Sequence, residues 1–127
     1  MQSSKKRILC VDDDADTREM VTMLLAGLAN YEVTTAHTTA SALRLVRSGR
    51  FDLYLLDDRL PDGTGLDLCE RIREFDPHTP ILLYVATVSF TWQQVIDAGG
   101  QGYVRKLDGV DALKQTISRL LDGGAVT

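Results

Sequence analysis

Short continuous apolar runs alternate along the chain with longer segments in which apolar residues recur every three or four positions. The runs at 8–11, 51–56 and 81–85 or 86 are typical of strands that are buried on both faces. A β-branched segment at 31–36 and a short segment at 102–105 indicate two further strands. The pattern therefore predicts five strands.

The periodic segments between these strands predict five amphipathic helices. We expect them at about 14–28, 38–48, 66–75, 89–98 and 110–121. Asp14 or Asp16 is the predicted N-terminal cap of the first helix, Asn30 ends it, and Thr38 or Thr39 caps the second. Strands that alternate with helices predict an α/β fold, in which a doubly wound parallel sheet carries helices on both faces.

The length and charge of the chain limit what it does. We expect 127 residues to form one domain, 1–127, with a core at about 6–121 and loose ends at 1–4 and after Gly123. The net charge of −4 argues against direct nucleic-acid binding, which needs a basic face. Cys10 and Cys69 lack metal-site spacing, and we see no apolar leader or membrane-length apolar run. We therefore expect a cytoplasmic protein that does not enter a membrane.

Charged residues stand where three of the predicted strands end. Asp12 and Asp13 follow the first strand, Asp57 follows the third and Lys106 follows the fifth. In an open parallel sheet the functional site lies outside the carboxyl ends of the strands. The sequence therefore predicts that these four side chains share one acidic pocket.

Clustered carboxylates repel one another unless a cation joins them. Mg²⁺ suits such a cluster, because it prefers oxygen ligands and needs only a few carboxylates. An aspartate in this position can also be a nucleophile that forms an aspartyl-phosphate. Lys106 would then add a second positive charge near the transferred phosphoryl group.

Three segments make the chain resemble the receiver domain of two-component response regulators, the CheY-like proteins. They are residues 8–14, 55–66 and 98–106, and the resemblance extends over roughly 6–121. It implies the flavodoxin-like strand order 2-1-3-4-5. It also implies a phosphoryl group supplied by a sensor histidine kinase or a phosphotransfer protein, and a domain that catalyses its own phosphorylation and dephosphorylation.

The resemblance assigns roles to individual residues. Asp57 matches the phospho-acceptor, and Asp12 and Asp13 match the acids that bind Mg²⁺. Arg59 matches the position whose backbone carbonyl completes the metal site, and Lys106 matches the lysine that contacts the phosphoryl group. Tyr103 matches the aromatic residue that changes orientation on activation. Output is expected through the face of the fourth helix, fifth strand and fifth helix, with Trp92 either a core anchor or a partner contact.

Two positions depart from the family pattern. The family has Thr or Ser at the end of the fourth strand, where counting from Pro80 gives Val85 and counting back from Lys106 gives Tyr84. Valine offers no hydroxyl donor, so either Thr87 supplies the contact or the contact is missing. Leu107 stands in place of the usual Pro after the lysine. These changes predict a weakened coupling of phosphorylation to output.

The sequence leaves several alternatives open. Either the receiver acts alone on a downstream protein, or it belongs to a longer regulator with a fused output domain. A phosphorylation-independent binding module on the same fold is favoured by Val85 and disfavoured by the intact acids and Lys106. A haloacid-dehalogenase-like hydrolase also uses an aspartyl nucleophile, but it usually has a second acid where this chain has Arg59.

Overall fold

The five predicted strands form a parallel sheet in the computed structural model, which describes residues 5–28 and 30–122. The strands are β1 (Lys6–Val11), β2 (Tyr31–Ala36), β3 (Leu53–Leu56), β4 (Ile81–Val85) and β5 (Gly102–Arg105). They pair in the order β2-β1-β3-β4-β5, and each neighbouring pair is parallel. The predicted strand order and fold class are confirmed.

Five helices cover the sheet, and each follows one strand along the chain. They are α1 (Ala15–Ala26), α2 (Thr39–Ser48), α3 (Gly65–Arg73), α4 (Trp92–Ala98) and α5 (Val110–Leu121). A 3-10 turn at Lys106–Asp108 joins β5 to α5.

The central strands are buried on both faces because their side chains alternate between two apolar clusters. Leu9 and Val11 of β1 pack in the cluster under α2, α3 and α4. Ile8 and Cys10 pack in the cluster under α1 and α5. This arrangement explains the continuous apolar runs, since a strand between two helical layers has no solvent-facing side.

Helix caps decide where the helices begin. Asp14 caps α1 and Thr38 caps α2, so each pair of predicted candidates is resolved in favour of its first member. Asp62 also accepts hydrogen bonds from the backbone amides of Thr39 and Ala40, at 2.7 and 3.0 Å. The loop after β3 is thereby tied to the N-terminus of α2, where four amides otherwise lack partners.

Three helix boundaries differ from the prediction. α1 ends at Ala26, two residues before Leu28, and Asn30 lies beyond it with a φ of 78°. α3 ends before Phe75. α4 begins at Trp92 rather than near Ser89, because Thr91 and Gln94 form a capping box.

Some expectations fall outside the described residues, namely the loose ends predicted at 1–4 and from Gly123 onward. Within the described residues, none of the helices has the length and apolar character needed to cross a membrane.

Candidate functional site

The carboxyl ends of β1 and β3 bring the predicted acids together. Asp12 follows β1 and Asp57 follows β3, and the Asp57 amide donates to the carbonyl of Val11 at 2.8 Å. Carboxylate oxygens of Asp12, Asp13 and Asp57 all lie within 4.8 Å of one another. Asp12 is buried, Asp57 is half-buried and Asp13 is exposed, so the cluster opens toward solvent on one side.

Lys106 enters the site from the end of β5. Its Nζ donates to Asp12 Oδ2 at 2.9 Å and lies 3.8 Å from Asp57 Oδ1. The ammonium group also lies 5.8 Å from the centroid of the Tyr84 ring. Burial would lower the pKa of Lys106, but the hydrogen bond and charge of Asp12 and the charge of Asp57 raise it above its ordinary value. The lysine is therefore held as a cation between the two acids.

The surroundings of Asp57 make its carboxyl group a weaker acid than a free aspartate. Burial and then the neighbouring Asp12 carboxylate raise the pKa of Asp57 from 3.8 to about 6. Lys106 and the backbone amide of Asp58, which donates to Asp57 Oδ1 at 2.8 Å, act in the opposite direction. An added positive charge beside Asp57 would lower its pKa again.

The backbone around Asp12 is fixed by its neighbours. Asp12 Oδ1 accepts from the amide of Asp14 at 2.9 Å, and the Arg18 guanidinium donates to the Asp12 carbonyl at 2.8 Å. Arg18 was not singled out in the sequence. Its position one turn into α1 resembles that of any surface arginine, so only the three-dimensional contact identifies it.

A tight loop follows Asp57 and closes one side of the site. Residues Arg59–Leu60 and Gly63–Thr64 form a short antiparallel pair. Gly65 packs directly against the backbone carbonyl of Asp57, where a Cβ atom would overlap it. Glycine is therefore required here for close approach of the two backbone segments.

The acids open into a cavity of about 300 Å³. It is lined by charged residues and by residues of the loop between β4 and α4, two of which carry hydroxyl groups, namely Asp13, Asp57, Asp58, Arg59, Ala86, Thr87, Ser89 and Lys106. Arg59 thus lies at the site as expected, while the role of its carbonyl as a metal ligand stays a prediction.

Val85 and Thr87 occupy different environments. Val85 is the last residue of β4, pairs with Arg105 and is fully buried in the apolar cluster under α2, α3 and α4. Tyr84 packs in the cluster on the opposite face of the sheet. Thr87 is exposed and lines the cavity. Two residues further, Ser89 Oγ donates to Asp58 Oδ2 at 2.6 Å, a contact that the sequence did not reveal.

The residues expected at the output face also lie together. The rings of Trp92 and Tyr103 are 6.0 Å apart, and Phe90 meets Tyr103 edge-on at 5.4 Å. Trp92 is 43% exposed, so it is not a fully buried core anchor. Leu107, in the position where the family has Pro, is 87% exposed.

The donor set of the acidic cluster fits a magnesium ion. Its three carboxylates are hard oxygen ligands, and no thiol or imidazole accompanies them among the residues that the structure describes. The lysine beside them and the solvent-facing opening leave room for a phosphoryl group. This arrangement is suited to phosphoryl transfer, which depends on positioning and on neutralising oxygen charge.

Comparisons with known proteins identify the family that this chain resembles. Residues 8–118 match the family described as the response regulator receiver domain. The chain is 34% identical over 119 residues to the response regulator protein PilR of Pseudomonas aeruginosa, covering 93% of this chain and 26% of PilR. It is 36% identical over 107 residues to the DNA-binding response regulator MtrA of Mycobacterium tuberculosis, covering 84% and 46%. The chain spans about a quarter to a half of the length of the curated relatives it matches.

Solved structures give the same result. A CheY-like receiver domain protein from Methanospirillum hungatei superimposes with a TM-score of 0.87 at 28% identity, covering 94% of this chain and 96% of that one. The response regulator TrrA from Thermotoga maritima, solved in complex with Mg²⁺-BeF, gives 0.81 at 33% identity, covering 91% and 98%. The chain belongs to the receiver domain family of two-component response regulators.

Proposed function

We propose that this receiver accepts a phosphoryl group on Asp57 in a Mg²⁺-dependent reaction. The observation that carries the proposal is the convergence of Asp12, Asp13 and Asp57 within 4.8 Å, with Lys106 beside them. Three acids and a lysine from three strand ends are the groups that phosphoryl transfer to an aspartate needs. A sensor histidine kinase or a phosphotransfer protein is the proposed donor.

In the proposed step, a carboxylate oxygen of Asp57 attacks the phosphorus of a phosphohistidine. The phosphorus–nitrogen bond breaks, and its electron pair stays on the imidazole nitrogen of the donor. Asp12, Asp13, Asp57 and the Arg59 carbonyl would hold Mg²⁺, which when bound neutralises phosphoryl oxygen charge. Lys106 Nζ lies 3.8 Å from Asp57 Oδ1. It would donate one of its hydrogen bonds to a phosphoryl oxygen and weaken its contact with Asp12.

The same site would reverse the modification. Attack of water on phosphorus would release inorganic phosphate and return the Asp57 carboxylate. The cavity beside Asp57 is open, so water has access to it. The domain would thus catalyse both its own phosphorylation and its own dephosphorylation.

An exposed apolar patch beside the site would meet the phosphoryl donor. Met20, Met23 and Leu24 of α1 line a groove with Val110 of α5. Met23 is 68% exposed, and Leu107, next to Lys106, is 87% exposed. In this proposal a donor that brings its phosphohistidine to Asp57 covers this groove, which also contains Asp16 and Glu19, and burial of the apolar surface there would favour the complex.

The proposed output surface is the face formed by α4, β5 and α5. Trp92 and Tyr103 lie on it and are in contact with each other. A downstream protein, or an output domain in a longer regulator, would read this surface. The family match and the complete acidic cluster favour this function over a phosphorylation-independent binding module.

Intact-mass spectrometry tests the proposal. The chain is incubated with acetyl phosphate and Mg²⁺, beside an Asp57→Asn variant and a sample with a chelator. We expect a labile phosphoryl adduct on the parent protein alone, and only with Mg²⁺. The absence of an adduct from a folded parent that binds Mg²⁺ would contradict the proposal.

A further inference from the structure

The strand-end position that faces the phosphoryl group in the family lacks a hydroxyl in this chain. Val85 occupies it, fully buried among apolar side chains. The next residues of the chain, however, place two hydroxyl groups on the cavity wall, those of Thr87 and Ser89. Each of these hydroxyl groups is a candidate for contact with a phosphoryl group on Asp57.

Ser89 is the hydroxyl that the structure connects to the site. Its Oγ donates to Asp58 Oδ2 at 2.6 Å, a short charge-assisted hydrogen bond. Asp58 directly follows Asp57, and its amide donates to Asp57 Oδ1 at 2.8 Å. Two hydrogen bonds therefore connect Ser89 to the carboxylate that we propose as the phospho-acceptor. For Thr87 no hydrogen bond of the hydroxyl is found within 5–28 and 30–122.

We propose that Ser89 is the phosphoryl-sensing hydroxyl of this receiver, and that its hydrogen bond passes from Asp58 to a phosphoryl oxygen when Asp57 is modified. This inference rests on the proposed function of Asp57. It names a residue that contacts the phosphoryl group in place of the hydroxyl missing at Val85, and it differs from the expectation that Thr87 does so.

The charges on the cavity wall explain why the bond would move. A phosphoryl group brings roughly 1.5 to 2 negative charges and three strong acceptor oxygens. It would arise next to Asp58, whose carboxylate it repels, inside a cavity of about 300 Å³ that also holds Ser89. A serine hydroxyl has one proton to donate, so it cannot keep Asp58 and bind the phosphoryl group fully at once.

A shift of Ser89 would reach the output face through its neighbours in the chain. Phe90 follows Ser89 and packs edge-on against Tyr103 at 5.4 Å. Trp92, the first residue of α4, lies 6.0 Å from the same ring. Movement of this loop would therefore change the packing of Phe90, Tyr103 and Trp92 together.

Trp92 gives the experiment its signal, since it is the only tryptophan of the chain. Its fluorescence is followed while beryllofluoride, a phosphoryl analogue, is titrated into the full chain with Mg²⁺. Parallel intact-mass measurements with acetyl phosphate establish whether each variant still takes the adduct. The variants are Ser89→Ala, Ser89→Thr as the conservative rescue, and Thr87→Ala as the matched control two residues away.

We expect Ser89→Ala to take the adduct yet lose the fluorescence change, or to need about tenfold more analogue, the effect of one lost hydrogen bond to a charged group. Ser89→Thr should restore the response, and Thr87→Ala should behave like the parent. Asp58→Ala should lower the concentration of beryllofluoride that gives half of the fluorescence change. This decrease should be absent from the Asp58→Ala/Ser89→Ala double variant if Asp58 acts through Ser89.

Several results would overturn the inference. A full response in Ser89→Ala, or a response lost in Thr87→Ala instead, would show that Ser89 is not the sensing group. A parent that takes the adduct without any change at Trp92 would do the same while leaving the proposed function intact. A parent that takes no adduct would contradict the proposed function itself, and the inference with it.

Discussion

Replacing Asp57 by Asn should stabilise the metal-free protein at neutral pH. Asn has nearly the same shape, and its side-chain oxygen can still accept the Asp58 amide that now donates to Asp57 Oδ1 at 2.8 Å. Lys106 keeps its shorter contact, 2.9 Å to Asp12. The main change is therefore the loss of a negative charge from a half-buried acidic cluster.

The magnitude follows from the acidity of Asp57. Burial, and then the charge of Asp12, raise its pKa from 3.8 to about 6. A folded protein with such an acid binds more protons than the unfolded chain between these two values, so stability falls as the pH rises through them. The difference corresponds to about 3 kcal/mol for a fully enclosed group. Because the site opens to solvent, we expect a gain of about 1–2 kcal/mol in the variant.

Thermal unfolding followed by circular dichroism measures this gain in the presence of a chelator. The variant should unfold at a temperature higher by about 3–10 °C at neutral pH, and the difference should shrink as the pH falls and vanish below about pH 3, where Asp57 is protonated in both states. Glu70→Gln, an exposed carboxylate on α3, is the charge-matched control and should change little. Added Mg²⁺ should stabilise the parent more than the variant. A variant that is less stable than the parent, or a difference that does not depend on pH, would refute this reasoning.

Three other predictions concern the loop after β3, the hydrogen bond of Tyr54 near the start of β3, and the donor surface. Gly65→Ala should cost about 2–4 kcal/mol in urea unfolding, because the added methyl group overlaps the carbonyl of Asp57; an unchanged midpoint would contradict it. Tyr54→Phe should cost about 1 kcal/mol, since it removes the hydrogen bond of 2.7 Å to Asp76. Burial favours a higher pKa for Asp76, but hydrogen bonds from Thr79, Tyr54 and His78 hold the pKa at about 2. The protein therefore loses stability as the pH falls from 3.8 toward that value. Urea unfolding at several pH values should show a smaller loss in Tyr54→Phe than in the parent. Met23→Asp should slow phosphotransfer from a phosphohistidine protein by about tenfold relative to the parent, while leaving the rate with acetyl phosphate unchanged. A variant that matches the parent with the phosphohistidine protein, or that is slowed equally with both donors, would contradict the donor surface.

The three central strands were predictable because burial on both faces leaves a continuous apolar run, and β2 at the sheet edge was predictable from its β-branched residues. All five were found, although β1 begins two residues earlier than predicted and β3 begins two residues later, at Leu53. The helix ends were harder to predict, because apolar residues outside a helix can continue its period. Leu28 packs against the α1–α5 cluster beyond the end of its helix, and Phe75 lies under the Arg47 guanidinium at 5.0 Å. Phe90 fits the period of α4 but is apolar because it packs on Tyr103.

The position of the site was predictable from topology, while its internal contacts were not. Parallel strands bring the residues after β1, β3 and β5 to one edge of the sheet, which made a site shared by the acids and Lys106 predictable. Which acid binds the lysine depends on side-chain geometry, and the shorter contact is to Asp12. The bond between Ser89 and Asp58 joins residues 31 positions apart and has no local signal in the sequence.

Chemical mapping of the modified residue tests the central claim most directly. Protein treated with acetyl phosphate and Mg²⁺ is reduced with borohydride, which converts an aspartyl-phosphate to homoserine, and its peptides are sequenced by mass spectrometry. Our account predicts homoserine at position 57 and at no other aspartate, and none when Mg²⁺ is removed. Homoserine at position 12, 13 or 58, or an unmodified chain, would contradict the assignment of Asp57 as the phospho-acceptor.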